Sequence, residues 1–559
     1  MKRTAMAANL ETEVPDIGYV PTVPTLINRA AELFGDSDFM VLNGKVLTFA
    51  EADRRSAAVA RRLLALGLQK GGRVGLMLPN TLEWVVLFLG ITRAGGVAVL
   101  MSTLYKGREI SEVARQTDID TLIVADSYMG HDFVDRVEKA FPLDGLHGPT
   151  ALYLSEAPHL RRIYVVGDRL PAWAAGGLAD LESAPANPDD GLLRQIEQAI
   201  SPADILLIIN TSGSTAAPKS VLHTHGTVIR LSHAMVGMRG YKRTDRLWNS
   251  APFFWLGGLN VGIFPVLDVG MAYHIGTQKE PKAILEYVAK NGITFASTWP
   301  WEAAAVRKDP DYPTYRDAMS NLWHGFENWL NGEDGKPVPD NRIPLLFGMT
   351  ETFGPYIGEC ELAPLPTSKA GSIGRPMEGI EIKIVNPETG QDLGADEEGE
   401  LWVRGYTLMA GYLKRERFDT FTSDGWFPTG DRCRIDSDGW VYTSGRMNDL
   451  IKIRGANVAP REVESVLAQR PEVREAIVLT VPDSEGIEQL IAVVILSAGL
   501  TVTESSLRDY CRQQLSAYKV PTRIVVRADV DIPRTVSSKV IKRLVRDDLM
   551  KDEFRAMSK

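Results

Sequence analysis

Hydrophobic positions along the first 125 residues follow two different periods, which predict helices and strands in alternation. Apolar residues recur at helical spacing in residues 54–66 and 82–93, whereas short apolar runs occupy residues 73–78, 97–101 and 121–125. Continuous apolar runs of this length are typical of strands buried on both faces, and helices between them supply the crossovers that a parallel sheet needs. The pattern therefore predicts βα units and an α/β fold.

The longest apolar stretch, residues 84–101, raises the question of a membrane span. Arg93, Gly95 and Gly96 interrupt it, whereas a spanning helix needs about 20 predominantly apolar residues. We expect a buried helix that runs into a strand. The first 15 residues also lack the apolar core of a secretory signal, so neither a membrane span nor export is predicted.

The pattern changes in the second half of the chain. Beyond Gly374 short strands are separated by tight turns, and after Gly445 a compact α+β pattern begins, with a helix that starts at Pro460. Such a change indicates a domain boundary. We expect a large N-terminal domain over residues 1–445 and a small domain over residues 446–559.

Composition narrows the classes of partner. The 559 residues carry a net charge of −9 and no long basic block, so nucleic acid is an unfavoured principal partner. Cys360, Cys433 and Cys511 are far apart and form no C-x-x-C pair, which predicts neither a disulfide framework nor a zinc site and fits the reducing cytoplasm. Whether the chain forms a homodimer is left open.

Residues 211–219 read Thr-Ser-Gly-Ser-Thr-Ala-Ala-Pro-Lys and follow an apolar run. Backbone amides, hydroxyls and the Lys219 ammonium could together neutralise a polyphosphate, and the alternative is a solvated surface loop. The segment differs from a P-loop at Pro218, which has no N–H to donate. Because residues 221–225 favour a strand over a helix, we expect strand, loop, strand.

Seven segments in one order resemble the acyl-adenylate-forming family, which contains acyl-CoA synthetases, firefly luciferase and the adenylation domains of peptide synthetases. They are residues 211–219, 347–352 (Phe-Gly-Met-Thr-Glu-Thr), 371–376 (Gly-Ser-Ile-Gly-Arg-Pro), 399–401 (Gly-Glu-Leu), 425–431 (Gly-Trp-Phe-Pro-Thr-Gly-Asp), 444–458 and 533–539 (Pro-Arg-Thr-Val-Ser-Ser-Lys).

The resemblance implies a fold and a reaction. The fold would be a large N-terminal domain of layered parallel-sheet and β-barrel-like subdomains with a small, mobile α+β C-terminal domain. In the reaction, a carboxylic acid, as a small-molecule substrate, attacks the α-phosphate of ATP with Mg²⁺ present, giving acyl-AMP and pyrophosphate. The thiol of coenzyme A then displaces AMP.

The resemblance also assigns roles to residues. Thr215 and Glu351 would lie near Mg²⁺, Lys539 would be the catalytic cation, and Asn448 would be the hinge of the C-terminal domain. Phe347 would flank the adenine, Asp431 would accept hydrogen bonds from the ribose, and Arg446 would contact ribose or phosphate. The nucleotide-binding positions it implies are Thr211, Ser212, Gly213, Ser214, Thr215, Lys219, Phe347, Gly348, Met349, Thr350, Asp431, Arg446 and Lys539.

Each role has a structural alternative. Glu351 could cap a helix, Asp431 could cap its own turn, and Arg446 could form a surface salt bridge. Lys539 could belong to a solvated basic helix face with Lys542 and Arg543.

Departures from the family pattern are also present. Ala216 and Ser220 stand where glycines are usual, and their Cβ atoms carry a conformational cost if φ is positive, so reduced loop mobility is expected. His223 and His225 could bind a metal, but no third ligand is evident.

Aromatic residues predict the substrate class. Trp255, Trp299, Phe326 and Phe353 could line a pocket for a sizeable apolar acid, fatty, aromatic or alicyclic, or could be plain core. The sequence thus predicts an ATP- and Mg²⁺-dependent acid–thiol ligase that uses coenzyme A. Transfer to a carrier protein or an amine is the nearest alternative, and a non-catalytic nucleotide-binding protein is another.

Overall fold

The structure is a computed structural model, and two compact units are present in it: Met1–Ile382 with Val403–Phe427, and Lys383–Trp402 with Pro428–Lys559. It describes residues 14–148, 151–211, 219–297, 300–320, 322, 339–447, 451–453, 456–458, 460–482, 488–515, 519–535 and 540–557.

A seven-stranded sheet forms the core of the first unit. Its strands, in spatial order, are Gly411–Tyr412, Lys219–Thr224, Ile205–Thr211, Val97–Leu100, Arg73–Met77, Thr121–Ala125 and Arg162–Val166. The last five run parallel, and the first two are antiparallel to their neighbours. The predicted βα units are confirmed.

The helix Leu82–Arg93 explains the longest apolar stretch of the chain. It is buried at every residue except Glu83, as expected for an apolar helix in the core of a large protein. Its last residue, Arg93, is also buried, and its Nε atom lies 2.6 Å from Oε1 of Glu197. Because a buried charge is costly without a partner, this ion pair permits the arginine at the end of an apolar helix.

Five further strands form a second sheet in the first unit. In spatial order they are Phe295–Ser297, Arg246–Asn249, Ala272–Ile275, Asp38–Leu42 and Lys45–Thr48. A three-stranded sheet contains Phe347–Met349, Gly354–Gly358 and Arg375–Pro376, and a hairpin contains Ser127–Tyr128 and His131–Asp132.

Helices connect these strands. Those of the first unit are Val23–Phe34, Phe49–Ala65, Leu82–Arg93, Gly107–Thr117, Phe133–Ala140, Leu178–Glu182, Asp190–Gln198, His225–Arg239, Leu256–Gly258, Phe264–Val269, Pro281–Asn291, Pro300–Arg307 and Arg316–Ser320, with a π-helical turn at Leu259–Ile263. The helix predicted from residue 54 begins earlier, at Phe49, because Thr48 caps it by accepting the N–H of Glu51 at 3.1 Å.

Among its described residues, the second unit contains short strands and three α-helices. A four-stranded sheet consists of Ile380–Val385, Glu398–Gly405, Phe427–Ile435 and Val441–Arg446, a two-stranded one of Ile451–Ile453 and Ala456–Val458, and a three-stranded one of Val473–Pro482, Glu488–Leu496 and Arg523–Val526. The helices are Pro460–Ala468, Glu504–Gln514 and Lys542–Met557.

Alternation along the strand Val473–Pro482 divides the apolar core of this unit in two. Ile477 and Leu479 pack with Leu549 of the C-terminal helix, whereas Val478 packs with Leu467 on the other side. Successive side chains of a strand point to opposite faces, so helices cover both faces of the three-stranded sheet.

The structure confirms the predicted α/β fold with a separate C-terminal α+β part. Across the described residues, we find no helix whose length and apolar character suffice for crossing a membrane.

Candidate functional site

The Ser/Thr-rich segment connects two adjacent antiparallel strands. Strand Ile205–Thr211 ends at Thr211, whose hydroxyl donates a 3.4 Å hydrogen bond to the carbonyl of Lys219, and strand Lys219–Thr224 returns beside it. A helix begins only at His225. The two predicted strands are confirmed, and residues 212–218 between them lie outside the described residues. In a kinase-type site the phosphate-binding loop leads directly into a helix, whereas here a strand comes first.

Ser220 takes its place in the second strand without backbone strain. It is fully buried, pairs with Asn210 across the hairpin, and donates a 2.7 Å hydrogen bond to Oδ1 of that residue. It is not among the described residues with positive φ. The Cβ that replaces the usual glycine therefore carries no conformational cost at this position, and the hydroxyl ties the two strands together.

Lys219, Tyr412 and Glu351 lie together beside this hairpin. The Lys219 ammonium lies 5.0 Å from the ring centroid of Tyr412, and the Tyr412 hydroxyl donates a 2.7 Å hydrogen bond to Oε1 of Glu351. Tyr412 pairs with Val221 in the sheet, and this register places the phenol near the start of the Lys219 strand. A cation and a carboxylate thus contact the same phenol.

Glu351 lies on a single 3₁₀ turn, Thr350–Thr352. Thr352 closes the turn, because its hydroxyl accepts the N–H of Met349 at 3.2 Å and donates to the carbonyl of Gly354 at 2.6 Å. A hydroxyl therefore performs the capping that was the alternative role for Glu351, and the Glu351 carboxylate contacts Tyr412.

His223 supports the same turn from the adjoining sheet. Its Nε2 atom lies 2.8 Å from the carbonyl of Thr350, which can only accept, so Nε2 carries the proton. Complete burial lowers the pKa of His223 to about 4, and the hydrogen bond to Thr350 acts in the opposite direction. Its ring also packs edge-on against Phe353 at 5.1 Å. The neutral imidazole is therefore a structural support for the Glu351 turn.

The predicted aromatic residues have different surroundings. Phe347 is half-buried and its ring lies 5.9 Å from that of Tyr356, whereas Phe353 is fully buried with φ +56°. Trp255 is half-buried and precedes the short helix Leu256–Gly258. Trp299 and Phe326 lie outside the described residues. Their shared role in an acyl pocket stays a prediction.

Asp431 and Arg446 form an ion pair in the second unit. They are opposite each other in the antiparallel pair of strands, and Nε of Arg446 lies 2.9 Å from Oδ1 of Asp431. Arg446 also donates a 2.9 Å hydrogen bond to the carbonyl of Thr429. Asp431 is 6% exposed, while half of the Arg446 side chain is exposed. Arg446 thus orients the carboxylate that the resemblance assigns to ribose.

Burial and the neighbouring Asp431 raise the pKa of the Cys433 thiol to about 12. The thiol therefore stays protonated and packs as an apolar side chain.

Five further predicted site residues also lie outside the described residues, namely Ser212, Gly213, Ser214, Thr215 and Lys539. The hinge residue Asn448 and the departure Ala216 lie outside them as well. Lys219, Thr350 and Glu351 are brought together, and Asp431 with Arg446.

Glu351 has the chemistry of a magnesium ligand. Mg²⁺ prefers oxygen and is usually held by one or two carboxylates together with substrate phosphates. With Oε1 bound by the phenol, Glu351 has a second oxygen in a half-buried position. No cluster of three or more metal-binding His, Cys, Asp or Glu side chains occurs within the described ranges. The donor set therefore fits a metal ion that is shared with phosphate.

Sequence reasoning missed three residues of this site: Tyr412, the supporting role of His223, and Asn260, whose amide donates to the carbonyl of Phe353 at 2.8 Å. A tyrosine in a Gly-Tyr-Leu segment carries no periodic or motif signal that would connect it to Glu351. His223 was visible as a titratable residue, but its partner is a backbone carbonyl 127 residues away.

Two known domain families match the chain. The AMP-binding enzyme family matches residues 27–413, and the AMP-binding enzyme C-terminal domain matches residues 462–539.

Several known proteins are similar over nearly the whole length. The 4-coumarate-CoA ligase 1 of Narcissus pseudonarcissus is 28% identical, over 96% of this chain and 95% of that protein. The mitochondrial medium-chain acyl-CoA ligase ACSF2 of Mus musculus is 27% identical, over 94% of this chain and 87% of that protein. The crystal structure of the anthranilate CoA ligase AuaEII with anthranoyl-AMP has a TM-score of 0.76 at 24% identity, covering 97% of this chain and 100% of that one.

Proposed function

The chain belongs to the family of AMP-binding enzymes, and from that premise we propose that it is an ATP-dependent acid–thiol ligase that activates an apolar carboxylic acid as acyl-AMP and transfers it to coenzyme A. The observation that carries the proposal is the contact of Lys219 and Glu351 with one tyrosine beside the hairpin.

The chemistry explains why such a pair is needed. In the first step, a carboxylate oxygen of the acid attacks the α-phosphorus of ATP and the bond to pyrophosphate breaks. Both reactants are anions, so the step needs cations and a fixed geometry. The Lys219 ammonium supplies positive charge at the phosphate end, in this proposal beside the amides and hydroxyls of residues 211–215.

Glu351 and Thr215 are proposed to hold Mg²⁺, which when bound neutralises charge on the departing pyrophosphate. Lys539 is proposed to contact both the acid and the α-phosphate. In the second step, the sulfur of coenzyme A attacks the acyl carbonyl, the bond to AMP breaks, and a thioester forms.

Asp431 is proposed to accept hydrogen bonds from the ribose hydroxyls. A carboxylate is acceptor-only, and Arg446 holds one of its oxygens at 2.9 Å. This arrangement fixes the Asp431 side chain before the nucleotide binds. Residues 446–559 are proposed to move as a domain about Asn448 between the two steps, which would bring Lys539 in for the first and remove it for the second.

The acid is proposed to be sizeable and apolar. Trp255, Trp299, Phe326 and Phe353 support this proposal, and so do the names of similar proteins, which refer to 4-coumarate, anthranilate and medium-chain acyl groups. These names include aromatic and aliphatic acids, so the ring system or chain length is left to measurement.

Pyrophosphate release tests the proposal. The full-length protein is incubated with ATP, Mg²⁺ and a panel of aliphatic, aromatic and alicyclic acids, with and without coenzyme A. We expect acid-dependent pyrophosphate with at least one panel member, and an acyl-CoA of matching mass when coenzyme A is present. A panel of short polar acids is the matched control.

The alternatives give different results. Acyl-AMP that forms but yields no thioester with coenzyme A would support transfer to a carrier protein or an amine, which thioester formation on a phosphopantetheine carrier or amide formation would then distinguish. Absence of acid-dependent pyrophosphate across the panel would support a non-catalytic nucleotide-binding protein.

A further inference from the structure

Tyr412 connects the two halves of the proposed phosphate-binding site. Its hydroxyl donates a 2.7 Å hydrogen bond to Oε1 of Glu351, and its ring lies 5.0 Å from the Lys219 ammonium. The guanidinium carbon of Arg415 lies 5.6 Å from the same ring centroid. No motif that pointed to the function includes Tyr412.

The position of the phenol is fixed by the backbone on both sides. Tyr412 pairs with Val221 in the strand that begins at Lys219, and Tyr412 is only 8% exposed. From the same segment, the N–H of Met409 donates a 2.8 Å hydrogen bond to the carbonyl of Glu351. The segment therefore contacts both the main chain and the carboxylate of Glu351.

A carboxylate on a one-turn helix has considerable rotamer freedom. A hydrogen bond to one oxygen restricts that freedom and leaves the other oxygen available. Positive charge from Lys219 and Arg415 near the phenol makes its O–H a stronger donor to a carboxylate. The bond is thus charge-assisted and short enough to define the orientation of Glu351.

We propose that Tyr412 is a positioning residue that orients the Glu351 carboxylate, so that its Oε2 atom is presented to the metal that accompanies ATP. The proposal rests on the function proposed above, in which Glu351 holds Mg²⁺. Tyr412 acts through Glu351 and does not itself contact substrate.

The Tyr412→Phe variant removes the hydroxyl and keeps the ring that packs beside Lys219. The matched control is Tyr287→Phe, which removes a hydroxyl bonded at 3.0 Å to Nδ1 of His274 in the same unit. Two readouts are used. One is the Mg²⁺ concentration for half-maximal pyrophosphate release, and the other is the affinity of Mn²⁺ in the presence of ATP, measured by electron paramagnetic resonance without any acid.

We expect Tyr412→Phe to weaken the affinities for Mg²⁺ and Mn²⁺ by about tenfold or more. Loss of a residue that hydrogen-bonds to a metal-binding side chain has an effect of this size. The KM for the acid should not change, and Tyr287→Phe should leave both metal readouts as in the wild type. In a Glu351→Gln background, Tyr412→Phe should have little further effect on the metal, because the two residues act as one unit.

Two outcomes overturn the inference. One is a Tyr412→Phe variant whose metal affinities match the wild type, whether or not turnover falls. The other is an additive loss in the Glu351→Gln background. If the wild type releases no pyrophosphate with any acid, the proposed function fails, while the Mn²⁺ readout still decides the role of Tyr412.

Discussion

The side-chain amide of Asn260 donates a 2.8 Å hydrogen bond to the carbonyl of Phe353, two residues beyond Glu351. Phe353 has φ +56°, a left-handed conformation that is unfavourable for a bulky residue and persists only where its surroundings enforce it. Asn260 is buried in the π-helical turn Leu259–Ile263. A second element of the unit thus holds the chain in the conformation that follows Glu351.

Asn260→Ala should therefore destabilise the protein and lower adenylation. It leaves a buried carbonyl without its donor, which costs about 1–3 kcal/mol, and it releases the strained backbone at Phe353. Chemical denaturation and acid-dependent pyrophosphate release measure the two effects. The control is Asn291→Ala, which removes an amide bonded at 2.8 Å to the carbonyl of Tyr287. Equal activity losses in the two variants would contradict a specific role for Asn260.

Gly348→Ala should be more damaging than Asn260→Ala. A Cβ at Gly348 would lie 2.0 Å from the carbonyl oxygen of Gly354, so the strand pair that carries Glu351 would have to separate. We expect a loss of at least about 2 kcal/mol in the free energy of unfolding. We also expect weaker nucleotide binding, which calorimetry measures. Gly237→Ala, where a Cβ would meet nothing within 4 Å, is the control. A Gly348→Ala protein with wild-type stability would show that this approach of the strands is not required.

The fold was predictable because its signals are local and repeated. The helix at Leu82–Arg93 has the predicted bounds, and the strand Lys219–Thr224 was predicted from the strand-like residues after Pro218. The contact of Tyr412 with Glu351 was not predictable, because it depends on the register of Gly411–Tyr412 against a distant strand. No spacing in the sequence encodes that register.

The pairing of Asp431 with Arg446 shows the same limit. The family resemblance indicated each residue as a ligand contact, but only the antiparallel register of their strands shows that they contact each other. The role of His223 was missed because a histidine whose partner is a backbone carbonyl has no sequence signature.

Burial of His223 gives stability a defined pH dependence. Its pKa is about 4 in the folded chain, below the ordinary value of 6.5, so between these pH values the unfolded chain binds a proton that the folded chain does not. Stability should therefore fall as the pH falls from 6.5 to 4, by up to about 1.4 kcal/mol per pH unit for one proton. His223→Gln should make this decline shallower in denaturation experiments at several pH values. An unchanged slope would show that His223 is protonated in the folded chain or titrates normally.

Removal of one partner of the Asp431–Arg446 pair should be costlier than removal of both. Arg446→Ala leaves the buried Asp431 carboxylate without its cation, and because Arg446 is half exposed we expect a loss of about 1–3 kcal/mol rather than the larger cost of a fully buried pair. The double variant Asp431→Asn/Arg446→Ala should recover part of the stability that Arg446→Ala alone loses. Denaturation of the two single variants and the double variant gives the coupling energy. Strictly additive losses would contradict an energetic coupling between the two residues.

Lys539→Ala should separate the two half-reactions. In the proposed function the Lys539 ammonium lies between the acid and the α-phosphate, where it would stabilise the charge that develops during adenylation. We therefore expect its loss to lower the rate of adenylation by about 10²–10³-fold. The second step has a neutral acyl carbonyl and a thiol as reactants, so thioester formation from a supplied acyl-AMP should continue near the wild-type rate. Pyrophosphate release measures the first step, and acyl-CoA formation from synthetic acyl-AMP measures the second.

The matched control is Lys551→Ala on the C-terminal helix, which should affect neither step, since Lys551 contacts Asp548 on its own helix. If Lys539→Ala leaves both steps intact, the catalytic cation must be another residue. Lys542 is an unsuitable candidate for it, because its ammonium lies 2.9 Å from Oε1 of Glu464.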